Sequence, residues 1–157
     1  MCELTKTERQ ILFLRAQAGK GYRLGAEVVL TPETFGNHRA YANVKEWDCS
    51  ELAQVAQWVA GVERIGNTHV SHFDGAGNQY LACPKKISVE IARTLPGALV
   101  FIQSPSAYPN KPANIGHVGI VVAPDTIIEA RGKAYGVTIS KIRPSFNRAC
   151  KVQELYA

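Results

Sequence analysis

Cys49, His117 and Glu129 supply a thiol, an imidazole and a carboxylate, set in Trp47-Asp48-Cys49-Ser50-Glu51-Leu52, His117-Val118-Gly119-Ile120 and Ile128-Glu129-Ala130-Arg131. Such a set can act as a nucleophile, a base that takes and returns its proton, and an acceptor that fixes the base's tautomer. A lone Cys carries no such message, because free Cys is usually a small buried hydrophobe. What matters is whether the surrounding elements bring the three groups together.

For Cys49 the element is a helix. Asp48 can serve as N-cap, Glu51 stands where a capping-box acid would, and Leu52, Val55, Ala56, Val59 and Ala60 recur at helical spacing. Cys49 at the start of that helix sits beside unpaired N–H groups and the positive end of the macrodipole, which favour thiolate, while Asp48 opposes it. The local sequence leaves the balance open, and an imidazole must supply the rest.

His117 opens a β-branched run, His117-Val118-Gly119-Ile120-Val121-Val122, that reads as a buried strand. Ala123-Pro124-Asp125-Thr126 is turn chemistry, and Ile127 to Arg131 can return as a second strand. Pairing Val122 with Thr126 places His117 opposite Arg131 and makes Glu129 its diagonal neighbour on the same face. A slip of one residue would turn Glu129 away. Nearby Arg131, Lys133 and Lys141 leave an ordinary ion pair open as the alternative role for Glu129.

These motifs follow one another in the order of a known family. Gly21-Tyr22 with Leu24-Gly25, then Asp48-Cys49-Ser50, Leu95-Pro96-Gly97-Ala98-Leu99-Val100-Phe101, His117-Val118-Gly119-Ile120, Ile128-Glu129-Ala130 and Gly136-Val137 span Gly21 to Ile142. Each is short, but the ordered set resembles the NlpC/P60 cysteine peptidases, papain-like cell-wall hydrolases, including the peptidase domains of phage lysins. The resemblance implies an α+β fold with a nucleophile helix packed on an antiparallel sheet. It implies Cys49 as nucleophile, His117 as base and then acid, and Glu129 as the residue that orients the imidazole. It also implies Tyr22 at the oxyanion hole, and Asp48 and Ser50 beside the substrate. The chain departs from the family pattern in four places: Glu51 stands where Gly is usual, Ala98 for the Asp of Gly-Asp-Leu, Ala26 for a second Gly, and Glu129 where His is frequent. A carboxylate is adequate in the last role, whereas Glu51 beside the nucleophile is expected to narrow the cleft.

The implied function is a peptidoglycan hydrolase that cleaves an amide of the stem peptide, favouring the bond from D-glutamate's side-chain carboxylate to the next diamino acid. The alternatives are an N-acetylmuramoyl-L-alanine amidase or related cysteine amidase or acyltransferase, and a non-catalytic wall-binding module. No cofactor is expected. The implied partner is the stem peptide, with a monomeric protein acting on it.

Composition bounds the remaining classes. The 157 residues, 46% hydrophobic and 20% charged, suffice for one compact domain over residues 1–157 and are too few for two comfortable ones. The longest apolar runs are far short of the roughly 20 residues that span a bilayer, so no membrane insertion is expected. Met1 to Arg9 is polar and mixed in charge, unlike a secretory signal. The expectation is synthesis in the cytoplasm, with action on the wall after release or export. Cys2, Cys49, Cys83 and Cys150 are widely spaced and form no disulfide or metal signature. His69-Val70-Ser71-His72 lacks a third ligand and reads as a polar loop, so no metal is expected. A net charge of +5 with scattered Lys and Arg shows no nucleic-acid module or phosphate loop and suits an anionic wall polymer.

The coarse expected order is a helix near Thr5 to Ala18 with Ile11, Leu12, Leu14, Arg15 and Ala18 on its patterned face, and a long loop from Gly25 to Glu46. The Cys49 to Ala60 helix and a polar loop from Gly61 to Asn78 follow. A short helical stretch from Ile87 to Thr94 then precedes strands near 98–103, 117–122, 127–131, 137–142 and 151–156. The segment Ser104 to Pro112, with three prolines, is expected to form a rigid loop walling the cleft.

Overall fold

Gln17 and Trp47 show how the first third of the chain is braced around Cys49. The computed structural model describes residues Glu3–Ala157, so Cys2 lies outside the described residues. Helix α1, Lys6–Gln17, starts at a reciprocal capping box between Thr5 and Glu8. Its buried face is Gln10, Phe13, Leu14 and Gln17, one position out of phase with the apolar residues expected to face inward; Leu12 is exposed. The polar pattern misled because two glutamines take core positions with partners. Gln10 donates to the Ala56 carbonyl and the Gln57 side chain, and Gln17 accepts the Trp47 indole N–H at 3.1 Å.

Strand β1, Gly21–Tyr22, pairs in parallel with β2, Glu46–Trp47, and β2 leads directly into α2, Cys49–Ala60. Asp48 caps α2 by accepting the Glu51 N–H at 2.8 Å. The Glu51 side chain does not close a capping box; its carboxylate reaches the Val28 N–H instead. Leu52, Ala53, Val55, Ala56, Val59 and Ala60 are fully buried, as the helical spacing predicts.

A small hairpin, β3 Arg64–Ile65 with β4 Thr68–His69, follows. Helix α3, Ala76–Ala82, then occupies part and more of what the sequence reads as loop. Next come β5 Lys86–Ile87, α4 Val89–Ala92, β6 Leu99–Gln103, β7 Ile115–Ala123, β8 Thr126–Ala130, β9 Val137–Lys141 and β10 Arg148–Cys150. The expected terminal strand at 151–156 is displaced: β10 ends at Cys150, and Gln153–Tyr156 is a 3-10 turn.

The main sheet has the order β5-β10-β6-β7-β8-β9, with every pairing antiparallel. It separates two apolar layers. One face carries Leu99, Phe101, Val118, Ile120 and Ile128 against α1 and α2; the other carries Ala98, Val100, Val121 and Ile127 under Ile142 and Phe146. The longer helices α1 and α2 cover one face and the single turn of α4, through buried Ala92, packs on the other; helices segregated from an antiparallel sheet define an α+β architecture, as expected. Among the described residues, no helix is long and apolar enough to cross a membrane.

Candidate active site

Two local devices set His117. The β6–β7 ladder shifts between Ile102 and Gln103, so Gly116 bulges from β7 immediately before the histidine. The bulge lets Ile115 stay in the core beneath α2 while His117 follows Gly119 and Val121 onto the other face. On the far side, Ile120 pairs with Ile128 and Val121 with Ile127, the register the sequence requires. The expected Val122 to Thr126 pair is replaced by Ala123 to Thr126, because a second irregularity at Val122 tightens the turn. Continued inward, the register sets Glu129 opposite Gly119, whose missing side chain leaves room for Ile127 and Glu129 to close over it.

Glu129 is fully buried, and its Oε1 lies 2.6 Å from His117 Nε2. Arg143 completes the carboxylate, with Nη1 donating to Oε2 at 2.6 Å and Nη2 to Oε1 at 2.8 Å. Burial alone would raise the Glu129 pKa, but the hydrogen bonds and charges of Arg143 and His117 outweigh it and hold the carboxyl down to about 2. The ion-pair alternative therefore coexists with the His117 contact, and its cation is Arg143, not Arg131, Lys133 or Lys141.

Burial also works against a charged His117. Cys49 and Glu129 overcome it by hydrogen bonding and charge, raising the imidazole to about 9. Since Nε2 is committed to Glu129, Nδ1 is the nitrogen left to serve the thiol. Cys49 is half-buried at the first position of α2, where a helix leaves its N–H groups without intrahelical acceptors.

Cys49 opens onto a cleft of about 130 Å³ whose other walls include Tyr22, Ser50, Gly77, Lys111 and Pro112. The chain leading into Tyr22 is tied to β9, since Val137 N–H donates to the Lys20 carbonyl and Gly19 N–H to the Val137 carbonyl, and Tyr22 itself pairs with Trp47. Burial and the charges of Cys49 and Asp48 raise its phenol pKa, which places it among them as a neutral hydroxyl donor. Asp48 also lines the cleft, but its Oδ1 holds the Glu51 N–H and Ser50 hydroxyl and its Oδ2 the Gly25 N–H. Its visible work is to shape the turn that presents Cys49. The Glu51 side chain points away from the cleft into a separate pocket with Glu27, Ser71 and Asp74, so it does not narrow the substrate path. The Ser104 to Pro112 segment does wall the cleft, through Lys111 and Pro112.

The structure thus brings Cys49, His117, Glu129, Tyr22, Asp48 and Ser50 to one place. Sequence reasoning missed Arg143, and it read the cleft wall at Gly75 to Asn78 as loop where α3 begins. Arg143 lies 14 residues beyond Glu129 with no local pattern linking them. His69 Nδ1 is taken up by Ser71 within its own loop. Cys83 and Cys150, remote in sequence, meet in the core, where their thiols interact and shift one another's pKa in opposite directions.

A helix packed on an antiparallel sheet is the architecture that the resemblance to the NlpC/P60 peptidases implies. No family model and no curated protein matches the sequence, but solved structures do. The peptidoglycan hydrolase RipB of Mycobacterium tuberculosis superposes with a TM-score of 0.65 at 23% identity, over 94% of this chain and 64% of RipB. The P60 domain of a Mycobacterium avium subspecies paratuberculosis antigen gives 0.63 at 24% identity, with 94% of each chain covered. NlpC1 of Trichomonas vaginalis gives 0.61 at 20%, over 97% of this chain and 46% of that one. The chain has the NlpC/P60 peptidase fold and spans less than two-thirds of the RipB and NlpC1 chains.

Proposed function

We propose that the protein is a peptidoglycan hydrolase, a cysteine endopeptidase that cuts an amide of the stem peptide. The observation that carries this reading is the Cys49, His117, Glu129 arrangement at a cleft on an NlpC/P60 fold. Further support comes from RipB, itself a peptidoglycan hydrolase. The whole 157-residue chain is the proposed catalytic domain.

A histidine that keeps its proton to about 9 sets a cation beside Cys49 and holds the proton that a leaving amine needs. The thiolate attacks the scissile carbonyl, and the oxyanion is met by the Cys49 backbone N–H and by the Tyr22 hydroxyl. His117 gives its proton to the leaving amine as the C–N bond breaks, leaving a thioester on Cys49. Neutral His117 then takes a proton from water; the hydroxide adds to the thioester, and the carboxylic acid leaves as the thiolate and imidazolium are restored. Glu129 keeps the ring in one tautomer and stabilises its charge throughout. No step requires a cofactor. The preferred bond is that from the D-glutamate side-chain carboxylate to the diamino acid, and the setting is a phage lysin or an exported effector that meets the wall after leaving the cytoplasm. These last two points rest on the sequence resemblance alone.

The test is mass spectrometry of fragments released from purified peptidoglycans of different stem chemistry by the native protein and by Cys49→Ala. New amine and carboxyl termini made only by the native protein are expected, and they identify the bond. Intact stem peptides after treatment with folded, reduced native protein would overturn the reading.

A further inference from the structure

Arg143 and Phe146 are the two ends of one tight turn. The Phe146 N–H donates to the Arg143 carbonyl at 3.1 Å, with Pro144 in the position where its fixed φ favours a turn. The preceding Ile142 is buried and anchors the turn to the sheet. The Phe146 ring lies 5.7 Å from the His117 ring at 44° and 5.0 Å from the Arg143 guanidinium carbon. One aromatic platform therefore touches both cations that grip Glu129. The carboxylate between them is 0% exposed and takes three charge-assisted bonds of 2.6 to 2.8 Å.

An isolated buried carboxylate has several rotamers and a reason to take up a proton. A planar fork bound to both oxygens removes both freedoms, which a point charge on a flexible stem cannot do. We propose that Arg143 is the positioning residue of this site: its fork fixes Glu129 in the one orientation that accepts His117 Nε2–H, and through it aims the ring's other nitrogen at Cys49. This rests on the reading of Cys49 and His117 as the reacting pair. The charged or titratable groups that bear on the network are Cys49, Asp48 and Tyr22 on the α2 side, Glu129 itself, and Tyr135 beside Arg143.

Alkylation of Cys49 by iodoacetamide, followed across pH and located by peptide mass, tests the proposal without any substrate. Arg143→Gln removes the main cation that keeps Glu129 ionised. Glu129 then protonates more readily, His117 loses its acceptor, and the thiolate loses its counterion. The acid limb of alkylation is expected to move up by about one unit or more, and kcat/KM on stem peptide to fall about a hundredfold, the scale of a misplaced reacting group. Arg143→Lys is expected to restore the acid limb and leave kcat low, because charge returns without the fork.

Glu129→Gln and the double variant Glu129→Gln/Arg143→Gln guard against misfolding, since the double variant leaves no buried charge unpaired. If Arg143 acts through Glu129, its replacement in the Glu129→Gln background changes alkylation by less than about twofold. A folded Arg143→Gln protein with the native alkylation profile overturns the proposal, as does an equal effect of the substitution in both backgrounds. A native protein that alkylates as expected yet cleaves no stem peptide would instead overturn the proposed substrate and leave the role of Arg143 standing.

Discussion

Glu51 stands two residues from Cys49 and answers to a different environment. It is 7% exposed, and burial, with Asp48, Glu27 and Asp74 nearby, raises its carboxyl to about 7 against the help of the Val28 N–H. A carboxyl whose folded pKa lies above its unfolded value contributes its full stability below the unfolded pKa, about 4.3, and loses it as pH rises through the folded one. The loss at Glu51 therefore falls between about pH 4.5 and pH 7. Glutamine copies the protonated side chain and keeps the oxygen that accepts the Val28 N–H. Glu51→Gln is expected to stabilise the protein by about 2 kcal/mol at pH 8 and by well under about 1 kcal/mol at pH 4.5. Urea unfolding at the two pH values checks this, and an equal gain at both would rule out charge burial as the cause. The sequence marked Glu51 as unusual but assigned it to the cleft, because neither burial nor the direction of a first-turn side chain can be read from helical spacing. Cys49, His117 and Glu129 were legible for the opposite reason: a helix start and a strand register fix where those groups point. Arg143 was not, since only tertiary folding returns the turn after β9 to the buried carboxylate.

Elements with strong local patterns follow the sequence closely, while those shaped by their neighbours do not. The core strands β6 to β9 and the nucleophile helix α2 fall within about two residues of their expected bounds, because β-branched runs and the 3.6-residue apolar spacing specify them. Helix α3 could not be read. It has seven residues, an N-cap glycine without a side-chain bond and Gly77 within its first turn, so its propensity is poor. Its place comes from packing. Buried Gln79 donates to the carbonyls of Ser50 and Phe73 at 2.8 and 2.9 Å, tying α3 to the nucleophile's own turn. Gly77 meets the proline-rich loop so closely that a Cβ there would collide with the Pro112 carbonyl. Both segments wall the cleft beside Cys49. Gly77→Ala must push α3 and Pro112 apart; a destabilisation of about 1–3 kcal/mol is expected, the scale of overpacking, together with a rise in KM larger than the fall in kcat, since the proposed reacting groups lie on α2, β7 and β8. Thermal unfolding and steady-state kinetics on stem peptide report the two effects. An unchanged melting temperature with native kinetics would mean that the walls yield without cost and do not shape the cleft.

At the scale of the molecule, the +5 charge is divided between internal tasks and the surface. Arg143 is spent on Glu129, Arg93 pairs with Glu90 and Asp125, and Lys86 caps the Tyr80 and Cys83 carbonyls while lying over the Tyr80 ring. Exposed Lys111 is at the cleft itself, whereas Lys85 and Lys151 flank a groove of about 670 Å³ beside β5 and α4. Charges spread in this way form no built anion site. On the proposed function they would supply a diffuse field toward an anionic wall polymer, and such a field is screened by salt, the Debye length shrinking from about 30 Å at 0.01 M to about 3 Å at 1 M. Contacts of the proposed stem peptide within the cleft would be short and screened much less. Retention of Cys49→Ala on walls that carry anionic polymer is therefore expected to fall several-fold across that salt range, while its weaker retention on walls stripped of the polymer changes little. Co-sedimentation measures both. Equal retention on the two walls at every ionic strength would show that the cleft alone holds the substrate and that the net charge serves solubility, not attachment.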